Sequence, residues 1–345
     1  MCTHLIISPK RRLTRWLFLG VASLVWVTSA ADTGDSPELP ALGGAAPHPA
    51  NGLVYARPTA LGWMTRAPQN LWQFGRELVN PDNTWPLLGL AAGTAALIKY
   101  DQPLLDASQR FAKRIGLIDP PRVSGREFYY VYSTDIEGIA LPVYVPTNLN
   151  SSMYYLGDGY TQLFIVGSFF GYGMYYSDNR ALQTASLTME SLLTTGIVVQ
   201  ILKRTTGRES PFQATVPGGR WDFFPNQKLY NYHTPKYDAF PSGHMATVMA
   251  ATTVVAANYP EYRWIKPLGY TAMTLLGFAM LNNGVHWASE FPIAIALGYT
   301  AAKVTLDHVP RVVAGDTRTT QRNTWYAMPM LFPGSGGGLT LGARF

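Results

Sequence analysis

The sequence predicts an all-α protein, a bundle of about six helices with a short β-hairpin at its C-terminus. Three observations carry this. Six apolar stretches, Trp85–Ile98, Leu163–Tyr176, Ala181–Leu202, Met245–Ala257, Leu268–Leu281 and Phe291–Ala302, are long and rich in Ala, Leu and Met, which favours helices over strands. Short polar breaks, such as Ser177–Arg180 and Asn258–Lys266, suit antiparallel neighbours. The chain has no internal repeat and no strand–helix alternation of the parallel-sheet kind.

Taken in order, the chain opens with Lys10, Arg11, Arg12 and Arg15, then an apolar run from Trp16 to Val27, then Thr28, Ser29, Ala30 and Ala31. A basic start, a short apolar stretch and small residues read as a cleaved signal peptide over residues 1–30. This assigns export across the inner membrane. Cys2, the one cysteine, precedes the apolar run and would leave with it. Residues 31–83 read as an extended, surface-wrapping arm, because Pro37, Pro40, Pro47, Pro49 and Pro58 oppose regular helix. Residues 84–310 hold the six apolar stretches. In the tail, residues 311–345, Trp325–Phe332 and Leu339–Phe345 flank a glycine-rich segment and read as a β-hairpin packed on the bundle.

Composition narrows the function classes. Charged residues are 14% and apolar residues 47%, which excludes a disordered chain. One cysteine excludes a disulfide scaffold. There are 27 basic and 21 acidic residues; without the four in the signal, 23 basic residues remain and the net charge falls to +2. The basicity is therefore largely an export tag, and no motif suggests nucleic acid. Gly159–Ser177 and Pro267–Ser289 contain no Asp, Glu, Lys or Arg. Their apolar cores are shorter than the ~20 residues of a membrane span, and mean hydropathy is +0.02. A periplasmic, envelope-associated protein is the first reading and an integral inner-membrane protein the alternative.

Three segments carry chemistry. In Phe240-Pro241-Ser242-Gly243-His244, Pro and Gly punctuate a turn into a helix, whose first N–H groups form an anion site. His244 would give or take a proton there. In His286-Trp287-Ala288-Ser289-Glu290, a helical spacing would put His286 and Glu290 on one face. A carboxylate can fix the histidine tautomer and strengthen its other nitrogen as a nucleophile. A purely structural pair, or a metal pair with further ligands, are the other readings. Lys203-Arg204-Thr205-Thr206-Gly207-Arg208 is a basic run after a helix, which the helix dipole alone would favour. The near-equal lengths of the apolar runs bring all three segments to one end of the bundle. Together they form a phosphate-handling constellation.

These segments resemble the motifs of the phosphatidic acid phosphatase type 2 superfamily, which includes the vanadium haloperoxidases. The family motifs read K-x6-R-P, P-S-G-H and S-R-x5-H-x3-D. Here the second is complete, as Pro241-Ser242-Gly243-His244. The first keeps Lys203 and Pro211 but has Ser210 at the arginine position. The third keeps His286, has Glu290 for aspartate, and has Ala279-Met280 for the Ser-Arg pair. The resemblance covers about Leu163 to Lys303.

The resemblance implies an acid or lipid phosphate phosphatase working through a phosphohistidine, with no metal or other cofactor needed. His286 would attack phosphorus, Glu290 would orient it, and His244 would protonate the leaving oxygen. Lys203, Ser242 and the Gly243 N–H would hold the phosphate oxygens. Arg208 and Asn283 are the candidates to replace the missing arginines, with Arg204, Arg220, His233 and Lys236 as further ones. The substrate would be a phosphorylated lipid or a small phosphate ester. Two other functions follow from the same residues: a vanadate-dependent haloperoxidase, and a non-enzymatic envelope protein on the same scaffold. The aromatic-rich stretch Phe212–Ala239 reads either as an apolar substrate entrance or as a loop packed on its own rings.

Overall fold

A computed structural model of the protein describes residues 53–117, 128–136, 139–307, 312–313, 324–332 and 336–344. The expected signal peptide, Cys2 and the arm up to residue 52 lie outside them. The described residues all belong to one unit, Ala45–Phe345.

Each of the six apolar stretches is a helix. In chain order the helices are α1 (Gly62–Thr65), α2 (Ala67–Leu78), α3 (Thr84–Ile98), α4 (Asp101–Arg114), α5 (Leu149–Tyr155), α6 (Gly159–Tyr176), α7 (Asn179–Thr206), α8 (Gln227–Tyr232), α9 (Gly243–Asn258), α10 (Ile265–Asn282) and α11 (Glu290–Asp307). The strands are β1 (Leu53–Val54), β2 (Phe128–Ile136), β3 (Ile139–Pro146), β4 (Val312–Val313), β5 (Thr324–Phe332) and β6 (Gly336–Arg344), in three antiparallel pairs. The fold is all-α in its core.

Three expectations are corrected. The segment 53–83 is not an extended arm, since it contains α2. The only proline of α2, Pro68, sits in the first turn, where no helical hydrogen bond is lost. Asn70 and Phe74, a helical turn apart, are buried. A second hairpin, β2 with β3, interrupts the helical region, running from Phe128↔Pro146 to Ile136↔Ile139. Its aromatic and β-branched residues suit strands. The C-terminal hairpin runs from Thr324↔Arg344 to Phe332↔Gly336, so Gly336, Gly337 and Gly338 are strand residues, not loop.

Local sequence explains the long elements. Asp178 caps α7 by accepting from the N–H groups of Arg180 and Ala181. Gly207, at φ +56°, ends it in the left-handed conformation that glycine adopts without strain. Ser242 caps α9 through the Met245 N–H. α9 lies centrally, against α7, α10 and α11. Its Ala246 and Ala250 are fully buried. A Cβ on Gly298 of α11 would lie 2.0 Å from the Ala246 carbonyl oxygen, so the α9–α11 approach requires glycine there. Met245, Met249, Met273, Leu276 and Met280 fill the core around this contact. Among the described helices, Asn179–Thr206 alone is long and apolar enough to cross a membrane, and 44% of its most apolar window is buried inside the protein.

Candidate active site

Four backbone segments meet where α7 and α10 end and α9 and α11 begin. The Phe212 N–H donates to the Gly284 carbonyl (2.8 Å), the Ala239 N–H to the Arg208 carbonyl (3.1 Å) and the Ser210 N–H to the Pro235 carbonyl (2.9 Å). The buried Trp287 donates its Nε1–H to the Glu209 carbonyl (2.8 Å). These bonds hold the three sequence motifs together.

His286 is 5% exposed, in the loop between α10 and α11. It is not helical, as the four-residue spacing to Glu290 suggested. Gly284, at φ +62°, turns the chain instead, and α11 begins only at Glu290. The pairing survives because the loop curls back. His286 Nδ1 lies 2.6 Å from Glu290 Oε2 and 2.8 Å from the Ala239 carbonyl oxygen. A carbonyl can only accept, so Nδ1 carries the proton and Nε2 keeps its lone pair. Burial lowers the imidazole pKa and the charge of Lys203 adds to this, while Asp238 and the Ala239 carbonyl oppose it. His286 is therefore neutral, as a nucleophile must be. Burial pushes Glu290 above the usual carboxylate range, with Arg208 and Lys203 restraining the rise. A more basic carboxylate draws harder on the Nδ1 proton as positive charge grows on the ring.

His244, at the start of α9, faces His286 with ring centroids 6.2 Å apart and stands 4.8 Å from the Tyr154 ring. A cleft of about 710 Å³ opens beside it. Its wall is largely apolar, including Leu192, Leu193 and Ile197 of α7, and Lys203, Arg204 and His244 also line it.

The expected oxygen-holding residues have diverse settings. Lys203 is nearly buried, with its ammonium on the Asp238 carbonyl and carboxylate. Gly243 lines the cleft. Ser242 is fully buried, and its hydroxyl donates to Met280 Sδ (3.4 Å) besides capping α9. Asn283 is fully buried: its Oδ1 accepts from Asn150 (2.6 Å), and its Nδ2 has no partner among the described residues.

Arg208 is at the site, but its Nη groups are turned away from the role expected of them. Nη1 donates to Ser289 Oγ (2.8 Å) and Glu290 Oε1 (3.2 Å), and Nη2 to Asp101 Oδ2 (2.5 Å) and the Gly218 carbonyl (2.8 Å). All four Nη hydrogens are spent on protein, because two buried carboxylates compete for them. Among the other cations, Arg204 donates to Gln227 (2.8 Å) and lies over the Tyr230 ring, while Arg220, His233 and Lys236 are exposed. The stretch Phe212–Ala239 packs partly on its own rings: Trp221 contacts Phe223 and Phe240, and Tyr230 stacks on Tyr237. Phe223, Phe224 and Tyr232 remain exposed.

Sequence reasoning missed Asp101, Asp238 and Ser289. Asp101 lies 107 positions before Arg208 and no motif links them. Asp238, just before Phe240-Pro241, was legible as a carboxylate beside the second motif.

A bundle that brings two histidines and a carboxylate to one helical end defines a class. Residues 185–313 match the family model of the PAP2 superfamily, and this matched PAP2 region holds both histidines, Lys203 and Glu290. Over 62 residues, 18% of the chain, it is 34% identical to a lipid A 1-phosphatase of Porphyromonas gingivalis. That match spans 14% of the relative's length. Aquifex aeolicus LpxE is 17% identical in a match covering 46% of this chain and 84% of that one, with a TM-score of 0.34. A transmembrane PAP2 type phosphatidylglycerolphosphate phosphatase from Bacillus subtilis is 14% identical over 64% of this chain and 92% of that one, with a TM-score of 0.37.

Proposed function

We propose that the protein is a phosphatase of the cell envelope that hydrolyses a lipid-borne phosphate through a phosphohistidine on His286. The observation that carries this is the pair of acceptors on His286 Nδ1, which puts the proton of the neutral ring on Nδ1 and leaves Nε2 its lone pair. Nε2 attacks phosphorus, and the bond to the leaving oxygen breaks. His244 protonates that oxygen as it departs. Water then cleaves the P–N bond, releasing phosphate and regenerating neutral His286. Glu290 takes up the positive charge that develops on the ring. Lys203, the Gly243 N–H and Asn283 stabilise the phosphate oxygens, where preorganised donors act most strongly, and Ser242, expected to join them, caps α9 with its hydroxyl on Met280. The apolar cleft beside His244 supports a lipid substrate, since a soluble ester would gain nothing from it. Residues 1–30 serve as the export signal in this reading.

The test is phosphate release from phosphatidic acid, a lipid pyrophosphate and p-nitrophenyl phosphate in detergent. Wild type should act on at least one and His286→Ala on none. Equal release by both proteins would refute the mechanism. A carbonate wash of fractionated cells tests the envelope location.

A further inference from the structure

We propose that Asp101 and Arg208 are positioning residues for the His286–Glu290 pair, so that a helix outside the PAP2 region completes the site. The inference rests on the phosphatase reading of the site and adds to it a part for α4 and a changed part for Arg208.

The geometry engages both Nη groups of Arg208 and both oxygens of Asp101, while Arg208 Nε has no partner among the described residues. Asp101, the first residue of α4, is fully buried. Its Oδ2 accepts from Arg208 Nη2 (2.5 Å) and from Ser289 Oγ (2.6 Å), and its Oδ1 from the Ser289 N–H (2.9 Å). Arg208, also fully buried, reaches past Asp101 to Ser289 Oγ and Glu290 Oε1. The rings of Trp221 and Trp287 flank its guanidinium at 4.7 and 5.2 Å. Asp101 thus fixes the guanidinium and the start of α11 together. The guanidinium fixes one oxygen of Glu290 and leaves the other for His286 Nδ1.

Burying a charge pair of this kind costs more than it gains in stability unless every hydrogen bond is made. The four Nη hydrogens are satisfied here and the Nε–H is not, among the described residues, so the network is better read as setting geometry than as adding stability. The planar guanidinium places one Nη on Glu290 and the other on Asp101 in a fixed relation, which the single ammonium of lysine cannot reproduce. The arrangement orients the carboxylate that orients the nucleophile. It does not touch phosphate, so its loss should act on turnover and not on substrate binding.

The charges around Glu290 come from several elements. Lys203 is on α7, Arg208 follows it, Asp101 is on α4, and Asp238 faces His286 from the loop before α9. Removing the positive Arg208 raises the proton affinity of the His286–Glu290 pair, and removing the negative Asp101 lowers it.

The experiment compares wild type, Arg208→Gln, Asp101→Asn, the double variant and Ser289→Ala in phosphate release from short-chain phosphatidic acid micelles. Arg208→Gln should lower kcat at least tenfold with KM within twofold. It should also move the acid limb of the kcat profile up by about 1 pH unit. Asp101→Asn should lower kcat and move that limb down. The double variant should stay slow with its limb back near the wild-type position. A rise in KM with kcat preserved in Arg208→Gln would overturn the proposal, since that is how a phosphate ligand behaves. So would shifts of the limb in the same direction in both single variants.

Ser289→Ala keeps all charges and decides the matter if Asp101→Asn does not fold. It should lose at least about tenfold in kcat, because its hydroxyl both accepts from Arg208 Nη1 and donates to Asp101 Oδ2. A wild-type kcat there would overturn the proposal. Proton NMR of the His286 Nδ1–H, in ¹⁵N-histidine-labelled protein, needs no turnover. Its resonance should move in Arg208→Gln and in Ser289→Ala, and an unmoved signal in both would overturn the positioning. A wild type that releases no phosphate while these signals move would instead refute the phosphatase reading alone.

Discussion

Replacing Glu290 by glutamine keeps the size of the side chain and removes its charge. In the native site, Oε2 faces His286 Nδ1 at 2.6 Å and Oε1 faces Arg208 Nη1 at 3.2 Å, both donors, with no solvent to substitute. Glutamine has one oxygen for the two. If it faces His286, the amide NH₂ meets Arg208, donor against donor. If it faces Arg208, the NH₂ meets Nδ1, and the proton must move to Nε2, the nitrogen that attacks. A hydrogen bond to a charged group contributes about 1.5–3 kcal/mol. That converts to a loss of roughly 10- to 150-fold in kcat. Forcing the wrong tautomer raises the loss towards ~10⁴-fold, the size seen when a histidine in a catalytic triad loses its carboxylate. Initial rates of phosphate release from phosphatidic acid micelles, with melting curves beside them, measure it. KM should stay within about threefold, because Glu290 touches the histidine and not the substrate. A folded Glu290→Gln enzyme with kcat within twofold of wild type would refute the reasoning.

Five further outcomes follow. His286 has a depressed pKa in the fold, so its burial stabilises the protein fully above the ordinary imidazole value of ~6.5 and less as pH falls towards the folded value; Tm should decline on that side, and less so in His286→Asn. Glu290 has the opposite sign: its raised pKa favours the fold below ~4.3 and that contribution is lost as pH rises through the folded value, so Glu290→Gln should flatten the decline on the alkaline side. Gly298→Ala forces α9 and α11 apart at the Ala246 carbonyl and should cost about 1–3 kcal/mol, read as a Tm lowered by several degrees. Ile197→Asp should cut kcat/KM about tenfold for long-chain phosphates and leave p-nitrophenyl phosphate unaffected, because it changes the apolar wall of the cleft and not the histidines. A buried carboxylate elsewhere gives a stability control: Glu190 holds Arg66 and Asn70, and Glu190→Ala should cost towards the lower end of ~3–5 kcal/mol without altering KM, as followed by denaturant unfolding.

The sequence by itself determined the helices and the grouping of the motifs. Each of the six apolar stretches is a helix, because local composition and length are enough to separate a helix from a strand when the stretch is long. The punctuation at Phe240–Gly243 announced the start of α9, and the matched lengths of α9 and α10 put His244 and His286 at one end. The same local rules hid α2, since five prolines were averaged over a segment whose one helical proline is harmless at its first turn. The β2–β3 hairpin has its own local signal in Phe128-Tyr129-Tyr130-Val131-Tyr132, a short aromatic and β-branched run set among longer helical stretches.

Tertiary structure decided what the side chains do. Nothing local distinguishes an arginine that binds phosphate from one that binds carboxylates. Arg208 is held off the phosphate role because Asp101, from a distant helix, and Glu290 both reach it inside the protein, where an unpaired charge is costly. The tautomer of His286 likewise depends on the Ala239 carbonyl, 47 residues away. Helix formation is governed by neighbours in sequence, and so it can be read there. Hydrogen-bond partners and burial are properties of the assembled site, which only the packing of α4, α7, α9 and α11 brings into being.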